Sequence, residues 1–261
     1  MNIVVCIKQV PGTTEVKIDS QTNTLIREGI KNIINPFDTY ALEEGVRIKE
    51  RYGGKVIAIS MGPPQAGEAL REAISVGADE AILLSDSALA GADTLATANT
   101  LARAIDKLEP YDLIICGRQT VDGDTGQVGP ELSEMLGIPF VAYVSKIEEI
   151  DGERMRVQRM IEEGHEVIEM PLPGVITVVK EINLPRLPSL RRLAKARSAV
   201  IPIWTPRELD IDKHAVGLSG SATKVIKIFS PQRVHRGDIL QGDLEEQIER
   251  LIDKLKESEI I

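Results

Sequence analysis

The residues best suited to chemistry run from Gly117 to Pro130, GRQTVDGDTGQVGP, directly after the apolar run Leu113-Ile114-Ile115-Cys116. This order reads as the end of a buried parallel strand, a loop of small residues and the start of a helix. A helix start leaves N–H groups without intrahelical partners and carries a partial positive charge, so it favours a phosphate or pyrophosphate. Gly117, Gly123 and Gly126 allow backbone to come close to such a ligand, while Arg118, Thr120, Thr125 and Gln127 offer charge and donors. The stretch matches neither the Walker pattern nor G-x-G-x-x-G, and Asp122 and Asp124 repel phosphate unless they turn away or hydrogen-bond sugar hydroxyls. The residues alone define an anion-tolerant loop. An ordinary strand-to-helix connection can have the same composition.

The elements that must position this loop are those of an α/β sheet. Ile3 to Ile7, Lys55 to Met61, Ala81 to Leu84 and Leu113 to Cys116 are short apolar runs that read as buried parallel strands. Helices are expected between them. One opens at Asn35-Pro36, a capping residue followed by proline at the first helical position, and ends near Gly53-Gly54. Others run from Gln65 to Val76, from Asp93 to Leu108 and from the loop to Leu136-Gly137. In open α/β sheets, ligands collect beyond the carboxyl ends of the strands, which puts Cys6, Met61 and Gly117 around one crevice. Asn35 to Asp38 either present a helix start to an adenosine group or simply cap their own helix.

Beyond Gly137 the texture changes. Val141 to Val144, Ile147 to Ile150, Met155 to Gln158, Glu166 to Met170 and Val175 to Val179 follow without long helices, and Asp151-Gly152 and Glu163-Gly164 are turn signals. An antiparallel extension of the sheet is expected there. A small hairpin outside the sheet is expected from Thr14 to Ile18 and Thr24 to Arg27. Pro185 to Arg197, PRLPSLRRLAKAR, is basic and free of acids, so it is either a solvated loop or a surface steering toward an acidic partner. Val225 to Phe229 reads as a short extended segment, and Asp243 to Glu257 as a helix with one stripe of Leu244, Ile248, Leu251 and Leu255. That stripe docks on another subunit or folds back on its own domain. The fold class is thus a doubly wound parallel α/β sheet with an antiparallel extension and a C-terminal arm. Residues 1–183 form the nucleotide-binding domain, and residues 184–261 the recognition loop and arm.

Composition narrows the function classes. With 43% hydrophobic but only 3% aromatic residues, the core must be aliphatic, as in a sheet covered by helices. A net charge of -9 argues against nucleic acid and anionic membranes as main partners. No apolar run is long enough to span a bilayer and no signal-peptide layout is present, so a cytoplasmic protein is expected. Cys6 and Cys116 each lie in an apolar strand and read as small buried hydrophobes. His165, His214 and His235 are far apart in sequence and give no support for zinc or for histidine-based nucleophilic catalysis.

Five separated segments, NIVVCIKQVP, NPFDTYALEEGVRIKE, ISMGP, SVGADEAILLSD and PRLPSLRRLAKAR, together with the loop, resemble the beta subunit of electron transfer flavoproteins along essentially the whole chain. The resemblance implies an adenine-nucleotide-binding α/β fold paired with an alpha subunit. It places a nucleotide on Cys6, Asn35, Pro36, Phe37, Asp38, Met61, Arg118, Asp122, Gly123, Asp124, Thr125, Gly126, Gln127, Val128, Gly129 and Pro130. In ordinary members that pocket is similar to a structural AMP site; in electron-bifurcating members it holds a second FAD reduced by NADH (NAD as substrate). The Asp122-Gly123-Asp124-Thr125 pattern looks like the bifurcating branch, since ordinary members tend to carry a further acid at the position of Gly123. Flavin chemistry belongs to the cofactor, so no catalytic side chain is implied here. The resemblance also implies ferredoxin as a partner and a dehydrogenase docked through an aliphatic anchor at Leu190. Arg192, Leu193 and Ala194 depart from the usual pattern, which leaves an acyl-CoA dehydrogenase and a 2-hydroxy acid (lactate) dehydrogenase both open.

Overall fold

The computed structural model describes residues 1–12, 32–227 and 237–261, and the backbone of 17–18 and 25–26. β1 (Asn2–Cys6) is followed by β2 (Gln9–Pro11), β3 (Lys17–Ile18), β4 (Leu25–Ile26), β5 (Asn32–Ile34) and α1 (Pro36–Tyr52). Strand and helix then alternate through β6 (Lys55–Met61), α2 (Gly67–Val76), β7 (Glu80–Leu84), α3 (Thr94–Asp106), β8 (Leu113–Gly117) and α4 (Val128–Leu136). Next come β9 (Phe140–Ile150), β10 (Arg154–Ile161), β11 (Gly164–Pro171) and β12 (Gly174–Val178). The chain continues through α5 (Leu190–Ser198), β13 (Ile203–Trp204), α6 (Pro206–Leu209), α7 (Gly217–Gly220) and α8 (Leu244–Glu257).

A nine-stranded sheet runs in the order β11-β10-β9-β12-β8-β1-β6-β7-β13. From β9 to β13 every neighbouring pair is parallel. The apolar runs become strands here because both faces are covered. Ile3 and Val5 of β1 pack with Leu42 and Val46 of α1 and Leu70 of α2, whereas Val4 and Cys6 pack with Leu101 and Ile105 of α3 and Leu132 of α4. Each such aliphatic side chain contributes roughly 1.5–3 kcal/mol by leaving water. Local signals set the helix ends. Asp93 caps α3 by accepting from the N–H of Ala96 at 3.0 Å, and Gly137 closes α4 in the left-handed region at φ 65°.

The antiparallel extension is present as β9-β10-β11, but its expected membership needs correction. Val175 to Val178 do not belong to it: β12 is parallel, wholly buried, and inserted between β8 and β9. A continuous apolar run is the signature of a strand covered on both faces, and that signal outranks the neighbouring hairpins. Val141 to Val144 and Ile147 to Ile150 belong to one strand, β9, rather than two. The pairing of β13 with β7 extends the opposite edge, which the polar surroundings of Trp204 had not suggested.

The expected hairpin survives as the antiparallel pair β3–β4, with Lys17 opposite Ile26; the rest of it lies outside the described residues. Val225 to Lys227 form no strand, and Phe229 lies outside the described residues. The chain divides into two compact units, Met1–Ile226 and Lys227–Ile261. In the second unit Asp243 caps α8 by accepting from the N–H of Glu246 at 3.0 Å, and Leu244, Ile248 and Leu251 are exposed. No described helix is long and apolar enough to cross a membrane.

Candidate functional site

The direction in which strands are added reverses at β1. From β1 the chain steps to β6 and β7 on one side and later crosses to β8 on the other, so the loops leaving β1 and β8 part above the point where Cys6 and Cys116 stand side by side. This is the switch point at which open α/β sheets form a crevice. Both thiols are free and buried, and the Cys116 thiol is pushed well above its ordinary range by its hydrogen bond with Cys6 and by burial. The two side chains stand as a buried, adjacent pair at the ends of β1 and β8.

Asn35 is completely buried and does not cap α1 with its side chain. Instead its Nδ2 donates to the carbonyl of Gln119 at 2.8 Å and to Asp38 Oδ1 at 2.9 Å, and its Oδ1 accepts from the N–H of Val121 at 3.1 Å. Its own N–H donates to the carbonyl of Lys8 at 2.8 Å. One side chain thus joins the start of α1 to the loop after β8, a tertiary role that a local capping reading does not contain. Asp38 completes the joint. Its carboxyl accepts from the N–H of Lys8 at 2.7 Å, and burial pushes its pKa up to about 7 against the hydrogen bonds that lower it.

The glycines of the loop divide by what surrounds them. A Cβ on Gly117 would meet Asp38 and lie 2.7 Å from the carbonyl carbon of Phe37, so glycine is needed there for the approach of α1. Gly129 likewise serves packing, its Cβ position lying 2.5 Å from Thr177 Cγ2. Gly126 takes φ 63°, and Gly123 is open, with only Thr120 Oγ1 near at 3.3 Å. The free side of the loop is therefore at positions 123 and 126.

Its acids are accounted for. Lys8 Nζ lies 2.8 Å from Asp122; burial opposes ionisation of that carboxyl, but the hydrogen bond and charge of Lys8 hold it below the ordinary carboxylate range. Asp124, at φ 53°, accepts from Gln119 Nε2. The repulsion expected against a phosphate is thereby reduced.

Arg118 has no carboxylate partner among the described residues. Its guanidinium carbon lies 5.3 Å from the ring centre of Phe37 and 5.5 Å from that of Tyr143, and its Nε donates to Gln119 Oε1 at 2.6 Å. Tyr143 has φ 58° inside β9, a strained backbone for a bulky residue, with its N–H donating to Thr177 Oγ1 at 3.2 Å. Neither Tyr143 nor Lys8 was singled out from sequence. Lys8 follows directly on the first strand, but nothing local distinguishes Tyr143 from an ordinary strand aromatic.

α4 begins at Val128 with no side-chain cap from Gln127, whose Oε1 instead accepts from Thr94 Oγ1 at 3.2 Å. The N–H groups of Val128 and Gly129 open the helix, and Pro130 has none to offer. Thr125 and Gln127 are exposed, Met61 is half-buried at the end of β6, and Pro36 and Phe37 begin α1. The residues expected at the crevice thus lie at the ends of β1, β6 and β8, the first turn of α1 and the loop into α4. Leu190 lies elsewhere, at the first position of α5, and is 87% exposed.

An open, mostly parallel sheet whose strand order switches at β1 defines the class as a doubly wound α/β protein. The electron transfer flavoprotein domain family matches residues 22–209. Over the full length of both chains this protein is 50% identical to an electron transfer flavoprotein subunit beta of Thermoanaerobacterium thermosaccharolyticum and 49% identical to one of Clostridium acetobutylicum. It is 47% identical, again over both whole chains, to the caffeyl-CoA reductase-Etf complex subunit CarD of Acetobacterium woodii. The chain belongs to the electron transfer flavoprotein family, as a beta subunit. Such subunits pair with an alpha subunit and work in electron transport in complexes that carry a flavin or AMP-type cofactor.

Proposed function

We propose that this chain is the beta subunit of a bifurcating electron transfer flavoprotein and that its crevice holds FAD. The observation that carries this is the open backbone at Gly123 beside a neutralised Asp122, which leaves room for a pyrophosphate where a further acid would oppose it. The other residues fit the same ligand. Val128 and Gly129 offer N–H groups at an uncapped helix start, and Arg118, held over Phe37 and Tyr143 rather than against an acid, offers positive charge.

FAD bound there supplies hydride acceptance from NADH and division of the electron pair between ferredoxin and a partner dehydrogenase, the latter by way of the alpha subunit. The chain's own residues bind and orient. Asn35 and Asp38 fix the first turn of α1 against the loop, Lys8 offsets the charge of Asp122, and the buried side chains of Cys6 and Cys116 line the floor.

For the partner we propose an enzyme acting on a CoA thioester, in the acyl-CoA dehydrogenase class. The reading draws on the name of the caffeyl-CoA reductase relative. A 2-hydroxy acid dehydrogenase is the second reading, favoured by the unusual Arg192-Leu193-Ala194. Docking goes through Leu190, and residues 184–261 supply the recognition loop and an arm for the alpha subunit, to which α8 contributes exposed Leu244, Ile248 and Leu251. The test is cofactor content: FAD and its bleaching by NADH support the proposal, and AMP in the crevice makes the nucleotide architectural.

A further inference from the structure

The outer face of α1 carries three acids, Glu43, Glu44 and Glu50, and the chain after β12 is fastened to all of them. The side chain of Glu43 is only 2% exposed, so its charge must be paired. Arg186 pairs it with Nε at 2.8 Å, Nη2 at 3.2 Å and its own main-chain N–H at 3.2 Å. The same guanidinium reaches Glu50 with Nη1 at 2.6 Å and Nη2 at 2.9 Å. Arg47 donates to Glu43 at 2.6 Å and to the carbonyl of Leu184 at 3.3 Å, while Asn183 donates to the carbonyl of Tyr40 at 3.0 Å and to Glu44 at 2.9 Å. Two carboxylates on one planar, forked cation fix direction as well as distance.

The same segment leaves three leucines uncovered among the described residues. Leu184, Leu187 and Leu190 are 81%, 90% and 87% exposed, and they recur every third residue in Leu-Pro-Arg-Leu-Pro-Ser-Leu. A period of three with proline after each of the first two leucines suits a polyproline II run, which sets its third residues on one side. Ser189, at φ -77° and ψ 154°, lies in that region and then caps α5 by accepting from the N–H of Arg192 at 3.3 Å. Leu187 therefore lies between two fixed points, the Arg186 clamp and the capped start of α5, with Leu184 just before the clamp and Leu190 opening the helix. Exposed Arg191, Lys195 and Arg197 flank them, so the complementary surface is an apolar groove with an acidic rim.

We propose that Arg186 is a positioning residue for docking. By joining Glu43 to Glu50 it sets the direction in which a ridge of Leu184, Leu187 and Leu190, rather than one anchor, meets the partner dehydrogenase. This rests on the reading that docking occurs at Leu190.

The test uses the complex with its alpha subunit, reduced by dithionite and mixed with an acyl-CoA dehydrogenase in stopped flow. Arg186→Gln should raise the half-saturating concentration about tenfold and leave the limiting rate within about twofold, because the ridge is misdirected but the electron path is intact. Hydrogen exchange over residues 184–193 should quicken in the same variant. Leu190→Ala should raise half-saturation with exchange unchanged. If Arg186→Gln fails to fold, Glu50→Gln decides, since Glu50 is the exposed half of the clamp and its loss should raise half-saturation about threefold. An effect of Leu190→Ala with none from the clamp variants overturns the positioning role and leaves docking standing. A fall in limiting rate at unchanged half-saturation also overturns it. No effect from Leu190→Ala, or no saturable transfer from the unaltered complex, overturns the docking reading and the proposal with it.

Discussion

The carboxyl of Asp38 and the main-chain N–H of Lys8 are 2.7 Å apart, which ties the first turn of α1 to the exit of β1 beneath the candidate nucleotide loop. Burial raises the Asp38 pKa from 3.8 to about 7, so the folded protein binds a proton there that the unfolded chain has released. The sign follows: between pH 3.8 and about 7, this group makes stability fall as pH rises. In Asp38→Asn that slope should vanish, although an amide cannot accept from both Lys8 and Asn35 and should cost about 1–3 kcal/mol at low pH. Urea titrations of both proteins across this range check the prediction. Parallel pH curves would show that Asp38 is ionised throughout.

Gly123→Asp should lower FAD retention without harming the fold. The Cβ meets only Thr120 Oγ1 at 3.3 Å, and the loop is exposed, so the new charge should act on the ligand by about 1 kcal/mol rather than on packing. Flavin content after gel filtration, alongside the unfolding temperature of the apo protein, separates the two effects. Full flavin retention would remove the significance given to this position.

Arg118→Ala should weaken nucleotide retention and leave apo stability within about 1 kcal/mol, because the guanidinium touches ring faces and Gln119 rather than a buried acid. Tyr143→Gly should separate function from stability further. It removes one ring from Arg118 while relieving the backbone at φ 58°, so retention should fall with little loss of apo stability. Calorimetry with and without nucleotide tests both variants. A loss of apo stability as large as that of the bound form would make these residues structural.

The α/β architecture was legible because its signals are local: β1, β6, β7 and β8 are apolar runs, and Pro36, Asp93 and Gly137 mark helix ends. β12 was misassigned because its register depends on where the chain returns after β11, which no neighbouring residue encodes. At the site, sequence and resemblance named the loop, but the uses of its glycines were hidden. Gly117 and Gly129 are required by Asp38 and Thr177, which lie far away in sequence. Lys8 and Tyr143 were missed for the same reason, since the crevice that gives them meaning is assembled from strands remote in the chain.

Arg191→Gln should slow association with the dehydrogenase and flatten its salt dependence, with flavin content unchanged. Arg191 is exposed, whereas the charge of Arg192 acts on Glu50 of the clamp, so Arg191 alone reports steering. Association rates across ionic strength provide the measurement. An unchanged salt slope would show that the basic segment faces solvent only.

The central claim is that the crevice holds FAD. The purified complex with the alpha subunit should release FAD in excess of what the alpha subunit alone retains, with no AMP in the extract, and NADH alone should bleach that added flavin absorbance. Stoichiometric AMP, with flavin no greater than the alpha subunit's share and no bleaching by NADH, would contradict the account.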